Sequence, residues 1–302
     1  MSSEVDTSWV RQYEDSVKHL AQQNGSKLRG TVVESKLEGE MKFTEQIGAV
    51  EFVQRTTRHA DTPQVDTPHR RRALVGEDWH ISDLVDSVDQ LRAKISLGSA
   101  YMEAQRRGLG RRIDRTIVTA LGASALTGKL GSTATALPAT QILQATSTEL
   151  ANSGGTSHNL DLIHLRRAHK LILDANADDG MWTLIAGGSQ RQNLLKSTKA
   201  TSSDYNAIRA LVNGEIDTWM GFKFIWIGGD ILPVASNIRD CYAYHMDGVE
   251  LGMGMTKARI AEDPGKSFST RIYSEITLGA TRLEEERVIK IQCDETVIAS
   301  VD

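Results

Sequence analysis

Cysteine is nearly missing from this chain: Cys241 and Cys293 are the only two in 302 residues. Two thiols cannot build the disulfide framework of a small secreted scaffold. Both lie in strand-like surroundings and are read as small buried hydrophobes. A basic excess is missing too. The formal net charge is −4, which argues against nucleic-acid binding by the whole surface and leaves room only for a local patch. Long apolar runs are absent. The N-terminal MSSEVDTSWVRQYEDSVKHL has no signal-peptide core, and nothing approaches the roughly 20 apolar residues of a membrane span. The expectation is a protein made in the cytosol and free of membrane contact. Aromatics are sparse, and no internal repeat or low-complexity tract is visible. The chain is still long enough for a fold that buries roughly 75% of its unfolded surface, as one elaborate domain or two ordinary ones.

Proline is also scarce, five in all, yet Pro63 and Pro68 fall in one polar stretch, RHADTPQVDTPHRRRALVGEDW, from Arg58 to Trp79. It repeats Asp-Thr-Pro and then adds three consecutive arginines. A disordered linker is one reading, and an arm that works against another molecule is the other. The flanks decide. Phe43 to Thr57 reads as strand, with Ile47, Val50, Phe52 and Val53, and Ala73 to Ile81 reads as a second strand. Proline donates no ladder hydrogen bond, so the middle belongs at an edge or a tip. The pattern predicts a long hairpin. About 35 residues folded back once reach roughly 50 Å, well beyond a compact domain.

Other segments follow hydrophobic spacing. Val5 to Gln23 predicts a helix with too little apolar surface to stand alone. Ile81 to Leu121 predicts two helical pieces, the first carrying Leu84, Val85, Val88, Leu91 and Ile95, the second Tyr101, Leu109, Ile113, Ile117 and Leu121. Gly108 and Gly110 inside the second point to close contact with another element. Arg106, Arg107, Arg111, Arg112 and Arg115 cover its other faces, as a solvated surface or as a face against a neighbouring subunit or nucleic acid. Gly122 to Pro138 reads as a small-residue loop. Helices are predicted at Ala139 to Asn152, Leu160 to Ala175, Ser189 to Lys196 and Tyr205 to Val212, with strands at Trp182 to Ala186 and Phe222 to Ile227. This is an α/β unit. Strands at Cys241 to His245, Ala258 to Ile260, Phe268 to Leu278 and Arg287 to Gln292 predict an antiparallel sheet under the long helix.

No motif carries chemistry. Gly122 to Lys129, GASALTGK, has one residue too many before Gly-Lys, and Leu130 stands where Ser or Thr would hold magnesium. Pro264 to Ser267 lacks the first glycine of a phosphate loop, and GMGMTK from Gly252 lacks the third dinucleotide glycine. His164 and His169 are five apart, off the four-residue step of a helical metal pair, and read as solvated histidines. Gly187 to Arg191 lacks the closing glycine of a nucleophile elbow. The reading is no enzyme, no metal and no cofactor.

Four stretches in order carry a resemblance. They are Arg58-His59-Ala60-Asp61-Thr62-Pro63; Leu84-Val85-Asp86 to Asp89 with Arg111-Arg112-Ile113-Asp114; Ser203-Asp204-Tyr205 with Leu211-Val212-Asn213-Gly214-Glu215-Ile216; and Gly221-Phe222-Lys223-Phe224 leading to Leu232-Pro233. Together, over roughly residues 30 to 295, the chain resembles the tailed-bacteriophage major capsid protein with the Hong Kong 97-type fold. The resemblance implies an α+β fold in four parts. These are an N-terminal arm (1–39), an extended hairpin loop (40–81), a peripheral domain with a long spine helix and β-sheet (82–121 and 255–302), and an axial α/β domain (122–254). It implies self-assembly into hexamers and pentamers of an icosahedral head around double-stranded DNA, with the hairpin on the adjacent subunit. An encapsulin-like compartment is the alternative. Implied partners are other copies, a separate scaffolding protein, a portal, a decoration or cement protein, and non-specific contact with packaged DNA. The implied location is the virion, after assembly in the bacterial cytoplasm. Candidate inter-subunit residues are Arg58, Asp61, Asp66, Arg70, Arg71, Arg72, Arg106, Arg111 and Arg112. The run Arg70 to Arg72 is expected to meet acidic residues of a neighbour, against the plainer reading of a solvated charge run.

Overall fold

The computed structural model describes residues 20–59, 62, 64–86, 97–146, 157–196 and 217–297. In chain order the strands are β1 (Val33–Lys36), β2 (Met41–Ile47), β3 (His69–Val75), β4 (Glu77–Val85), β5 (Ala125–Thr127), β6 (Thr133–Thr135), β7 (Ile142–Leu143) and β8 (Trp182–Ala186). They continue with β9 (Thr218–Trp219), β10 (Phe222–Trp226), β11 (Val234–Ala235), β12 (Ile238–His245), β13 (Val249–Asp263), β14 (Ser269–Arg282) and β15 (Val288–Asp294). The helices are α1 (Leu97–Gly122), α2 (Leu162–Asp174) and α3 (Gly188–Lys196).

The described strands form three sheets, of which the first two pack against α1. The first has the order β1-β13-β14-β4 and is dominated by the long antiparallel ribbon β13–β14. The second runs β7-β15-β12-β8-β10-β9, with β11 attached to β12. The third, β2-β3-β5-β6, contains the expected hairpin. In that hairpin Met41 faces Val75 and Ile47 faces His69.

Side-chain alternation explains how the second sheet separates two cores. On β12, Cys241 and Ala243 face α2 and α3, while Tyr242 and Tyr244 face α1. That is the period-2 pattern of a strand covered on both sides. β8 lies between β12 and β10, and all five of its residues, WTLIA, are buried, as expected of a central strand in a partly parallel sheet. Asp161 starts α2 by accepting from the Leu162 amide at 2.6 Å. Ile113, Ile117, Val118 and Leu121 form the buried stripe of α1. Both cysteines are free and buried; burial pushes the Cys293 thiol well up.

Several expectations change. The strand expected over Phe43 to Thr57 stops at Ile47. The strand expected over Ala73 to Ile81 is two strands, split at Gly76. Leu84 and Val85 close strand β4 rather than begin a helix, because β4 pairs with β14 through Val85. In the described part of the helix expected at Ala139 to Asn152, residues 139–146, the chain makes one 3-10 turn followed by β7, which pairs with β15; residues 147–152 lie outside the described residues. Gly122 to Pro138 contains a small hairpin, β5–β6. β15 belongs to the second sheet, between β7 and β12. The expected boundary after residue 254 therefore cuts through β13, and residues 288–294 join the α/β unit. His164 is buried, not solvated, and burial lowers its pKa to about 4. The helix expected at Tyr205 to Val212, and all but the end of that expected at Val5 to Gln23, lie outside the described residues.

Candidate inter-subunit surface

The hairpin has a root and a tip. The root is fastened to its own chain by two buried carboxylates. On β13, Glu250 accepts from Lys42 Nζ and from Thr44 Oγ1, each at 2.6 Å. Burial penalises its charge, but the bonds, led by Lys42, outweigh that and hold its pKa below the usual carboxylate value. On the other strand, Arg72 donates from Nε to the Leu283 carbonyl at 2.7 Å and from Nη2 to Glu285 at 2.6 Å. Glu285 also lies 3.9 Å from Arg282 Nε. Arg282 is fully buried and caps α1: its Nη1 donates to the carbonyls of Leu121 at 3.2 Å and Ala123 at 2.8 Å. A cation there meets the negative end of the helix. The Arg72–Glu285–Arg282 group thus joins the hairpin root, β14 and the spine of the fold.

Glycine permits a third root contact. Gly252 and Gly279 face each other across β13–β14, and Leu74 and Val75 of the hairpin cross above them. A Cβ on Gly279 would lie 2.2 Å from the Val75 carbonyl oxygen, so any side chain there would lift the hairpin.

A parallel clamp holds the arm on α1. Asp114 is fully buried and accepts from the amides of Lys27 at 3.0 Å and Leu28 at 3.1 Å, from Ser26 Oγ at 2.5 Å, and from Gln23. Gly110 meets the arm directly: a Cβ there would come within 2.3 Å of the Gly25 backbone. The close contact expected from the two glycines is met at Gly110, while Gly108 faces open space apart from the end of Arg111.

The tip is different. The ladder ends at Gly48, whose amide donates to the Pro68 carbonyl at 2.8 Å. Beyond it, residues 49–59 carry no regular structure, and Val50, Phe52 and Val53 are exposed, Phe52 completely. His59 sits at φ 61 in a turn lined by Arg55, Thr56, Thr57 and Arg58.

The arginines divide accordingly. Arg58, Asp66 and Arg70 are exposed. Asp61 lies outside the described residues. Arg71 is only partly exposed: it pairs with Glu45, donates to the Lys129 carbonyl at 3.2 Å, and its guanidinium lies 5.2 Å from the Phe43 ring centroid. Arg72 is a correction. It is 4% exposed and satisfied by Leu283 and Glu285, so it is not available to a neighbour. On α1, Arg106 and Arg107 hold Glu103 at a pKa of about 2, and Arg106 also donates to Asn24 at 2.6 Å. Arg111 donates to Gln22 at 2.7 Å. Arg112 lies 3.2 Å from the Trp79 ring centroid, a cation–π contact between helix and β4. Arg111 and Arg112 therefore serve the chain's own packing. Phe52 and the two buried glutamates were missed as site residues. Phe52 had a signal, an apolar alternation with polar neighbours and no obvious partner.

The near-miss loops are ordinary structure. Gly122 to Lys129 ends α1 and forms β5, Gly252 to Lys257 is part of β13, and Pro264–Lys266 is a 3-10 turn. Among the described residues no cluster of three or more His, Cys, Asp or Glu side chains is placed to hold a metal ion, and no helix is long and apolar enough to cross a membrane.

The profile of the family described as "Phage capsid protein" matches residues 5–295. The chain belongs to the phage capsid protein family. It is a structural major capsid protein and a component of the virion, which favours the capsid reading over an encapsulin-like compartment. Solved structures agree on the fold. A structure from Mycobacterium phage Che8 superposes with a TM-score of 0.64 at 16% identity, covering 96% of this chain and 98% of that one. The capsid asymmetric unit of cyanophage Pam1 gives 0.70 at 11% identity, covering 98% of each. The acid-stable capsid of Helicobacter pylori bacteriophage KHP30 gives 0.67 at 10% identity, covering 97% of each. No curated protein sequence matches. The capsid protein thus has the Hong Kong 97-type fold at very low sequence identity.

Proposed function

We propose that this capsid protein closes an icosahedral head of hexamers and pentamers around double-stranded DNA, with each hairpin tip lying on an adjacent copy. In this reading the first sheet and α1 form the peripheral domain. The second sheet, with β15 included, forms the axial domain that meets its counterparts at the capsomer centre. Partners are other copies, a scaffolding protein, a portal, a decoration or cement protein, and packaged DNA held without sequence preference. Assembly takes place in the bacterial cytoplasm. The role is structural rather than catalytic.

One observation carries the reading: a hairpin root fixed by buried charge beside a tip whose apolar side chains Val50, Phe52 and Val53 are exposed. Stable interfaces commonly bury roughly 1,200–2,000 Å², and exposed Phe52, Val50 and Val53 supply the aromatic and aliphatic anchors such contacts use. Weak surface ion pairs, each worth about 0–1 kcal/mol, keep assembly correctable. Electron microscopy of the protein co-produced with a scaffolding partner tests this. Closed shells containing DNA after packaging are expected. Persistent monomers, or shells that co-purify only with protein cargo, would overturn it.

A further inference from the structure

We propose that residues 48–59 of one copy form a strand along the open edge of β4 in a second copy. The proposal rests on the capsid reading and names the surface that receives the tip.

The sequence from Ala49 to Thr57, AVEFVQRTT, is rich in β-branched and aromatic residues. In its own chain it forms no strand. The reason lies opposite it. Pairing with β3 stops at Ile47–His69, and Pro68, just before β3, has no N–H to give. Among the described residues 49–57 has no strand partner; the Thr57 carbonyl accepts from Arg55 Nε at 3.1 Å, and backbone groups without a ladder seek partners.

β4 has the complementary deficit. It ends the order β1-β13-β14-β4, so its outer edge has no strand neighbour among the described residues. It is nine residues long, with Ile81 and Leu84 half-exposed. The opposite edge strand, β1, has only four residues and is the poorer match. Charge selects as well. β4 and its flank carry Glu77, Asp78, Asp83 and Asp86, whereas the unpaired segment carries Arg55, Arg58 and His59 against Glu51. Asp78 and Asp83 are oriented by bonds from Thr277 at 2.6 Å and Gln105 at 2.8 Å. An acidic edge repels a second acidic edge and so resists indiscriminate pairing, yet it accepts a basic strand. Strand addition then supplies main-chain bonds, with Phe52 and Val50 as side-chain anchors.

The test compares hydrogen exchange in dissociated subunits and in assembled shells of the full chain. On assembly, amides of 49–57 and of β4 should slow on the order of a hundredfold or more, as new strand bonds form. Cysteine pairing fixes the contact. Phe52→Cys is combined in turn with His80→Cys, Ser82→Cys or Leu84→Cys, all on one face of β4. Under mild oxidation at least one pair should give disulfide-linked multimers from shells, and the single substitutions none, since a disulfide needs Cα atoms within about 7 Å. Shells that form normally while either segment exchanges freely, or while every pair stays uncrosslinked, would overturn the strand pairing and leave the capsid reading standing. Failure of the unaltered chain to form shells would overturn both.

Discussion

At its root the hairpin is held by Glu250, Glu285 and a crossing over Gly252 and Gly279, while at its tip Val50, Phe52 and Arg58 are exposed. The two ends belong to one hairpin, the tip lying beyond the last ladder bond at Gly48, yet they obey different energetics. Root residues are paired within the chain, so their loss is felt by the isolated subunit. Tip residues lose almost nothing in the subunit, and their loss is felt only in the assembly. A rigid root lets a projecting element meet a neighbour at a defined angle, with less ordering cost on contact.

The largest test of this contrast is Glu285→Ala. It leaves Arg72 and Arg282 as buried cations without their carboxylate, and breaking a buried pair costs about 3–5 kcal/mol. Urea denaturation of the dissociated subunit should show that loss. A change below about 1 kcal/mol would mean the root is not fixed by this group. Acid sharpens the comparison by loading the α/β core instead of the hairpin. His164 titrates at about 4 when folded and near 6.5 when unfolded. Below pH 6.5 the unfolded chain takes up a proton that the folded chain refuses. Stability therefore falls as pH drops from 6.5 towards 4, by up to about 3 kcal/mol. His164→Leu should remove that dependence within this window. Glu250, whose pKa is lowered, acts only further down: its stabilisation is present above its unfolded value and lost as pH falls through the folded one. An unchanged urea midpoint for the native subunit between pH 7 and pH 4.5 would refute the assignment to His164.

Much of this was legible in the sequence, and the failures have physical causes. β8, β10, α2 and α3 were readable because each lies within one short periodic run. Both hairpin strands were readable from composition, but the end of β2 was not, because strand propensity does not say whether a partner exists. The four C-terminal strands were read as one sheet for a related reason: β12 and β15 do pair antiparallel, but β8 and β7 draw them into the second sheet through long-range pairing, away from β13 and β14. The burial of His164 had a signal. It stands four residues before Ala168 and eight before Ile172, on the buried stripe of α2. The arginine run was read as one unit, and there a strand's alternation misleads. Ala73 and Leu74 are buried together with Arg72, because β3 passes between sheets at that point and both its faces are covered.

That arginine run gives the finest test. Arg72, Arg71 and Arg70 descend in three steps from interior to surface. Arg72→Ala leaves Glu285 only the Arg282 guanidinium 3.9 Å away and should destabilise the subunit, though by less than Glu285→Ala. Arg71→Ala removes an exposed pair with Glu45, a cation–π contact with Phe43 and an exposed bond to the Lys129 carbonyl, together about 1–2 kcal/mol. Arg70→Ala removes no hydrogen bond or ion pair found among the described residues and should stay within about 0.5 kcal/mol of the native subunit. If the tip serves a neighbour, Arg70→Ala nevertheless lowers the yield of closed shells when subunits are matched in concentration and fold. Denaturation and shell yield must be measured on the same preparations, because only their divergence separates an assembly contact from a folding one. A graded loss of both together across the three positions would erase the distinction between root and tip.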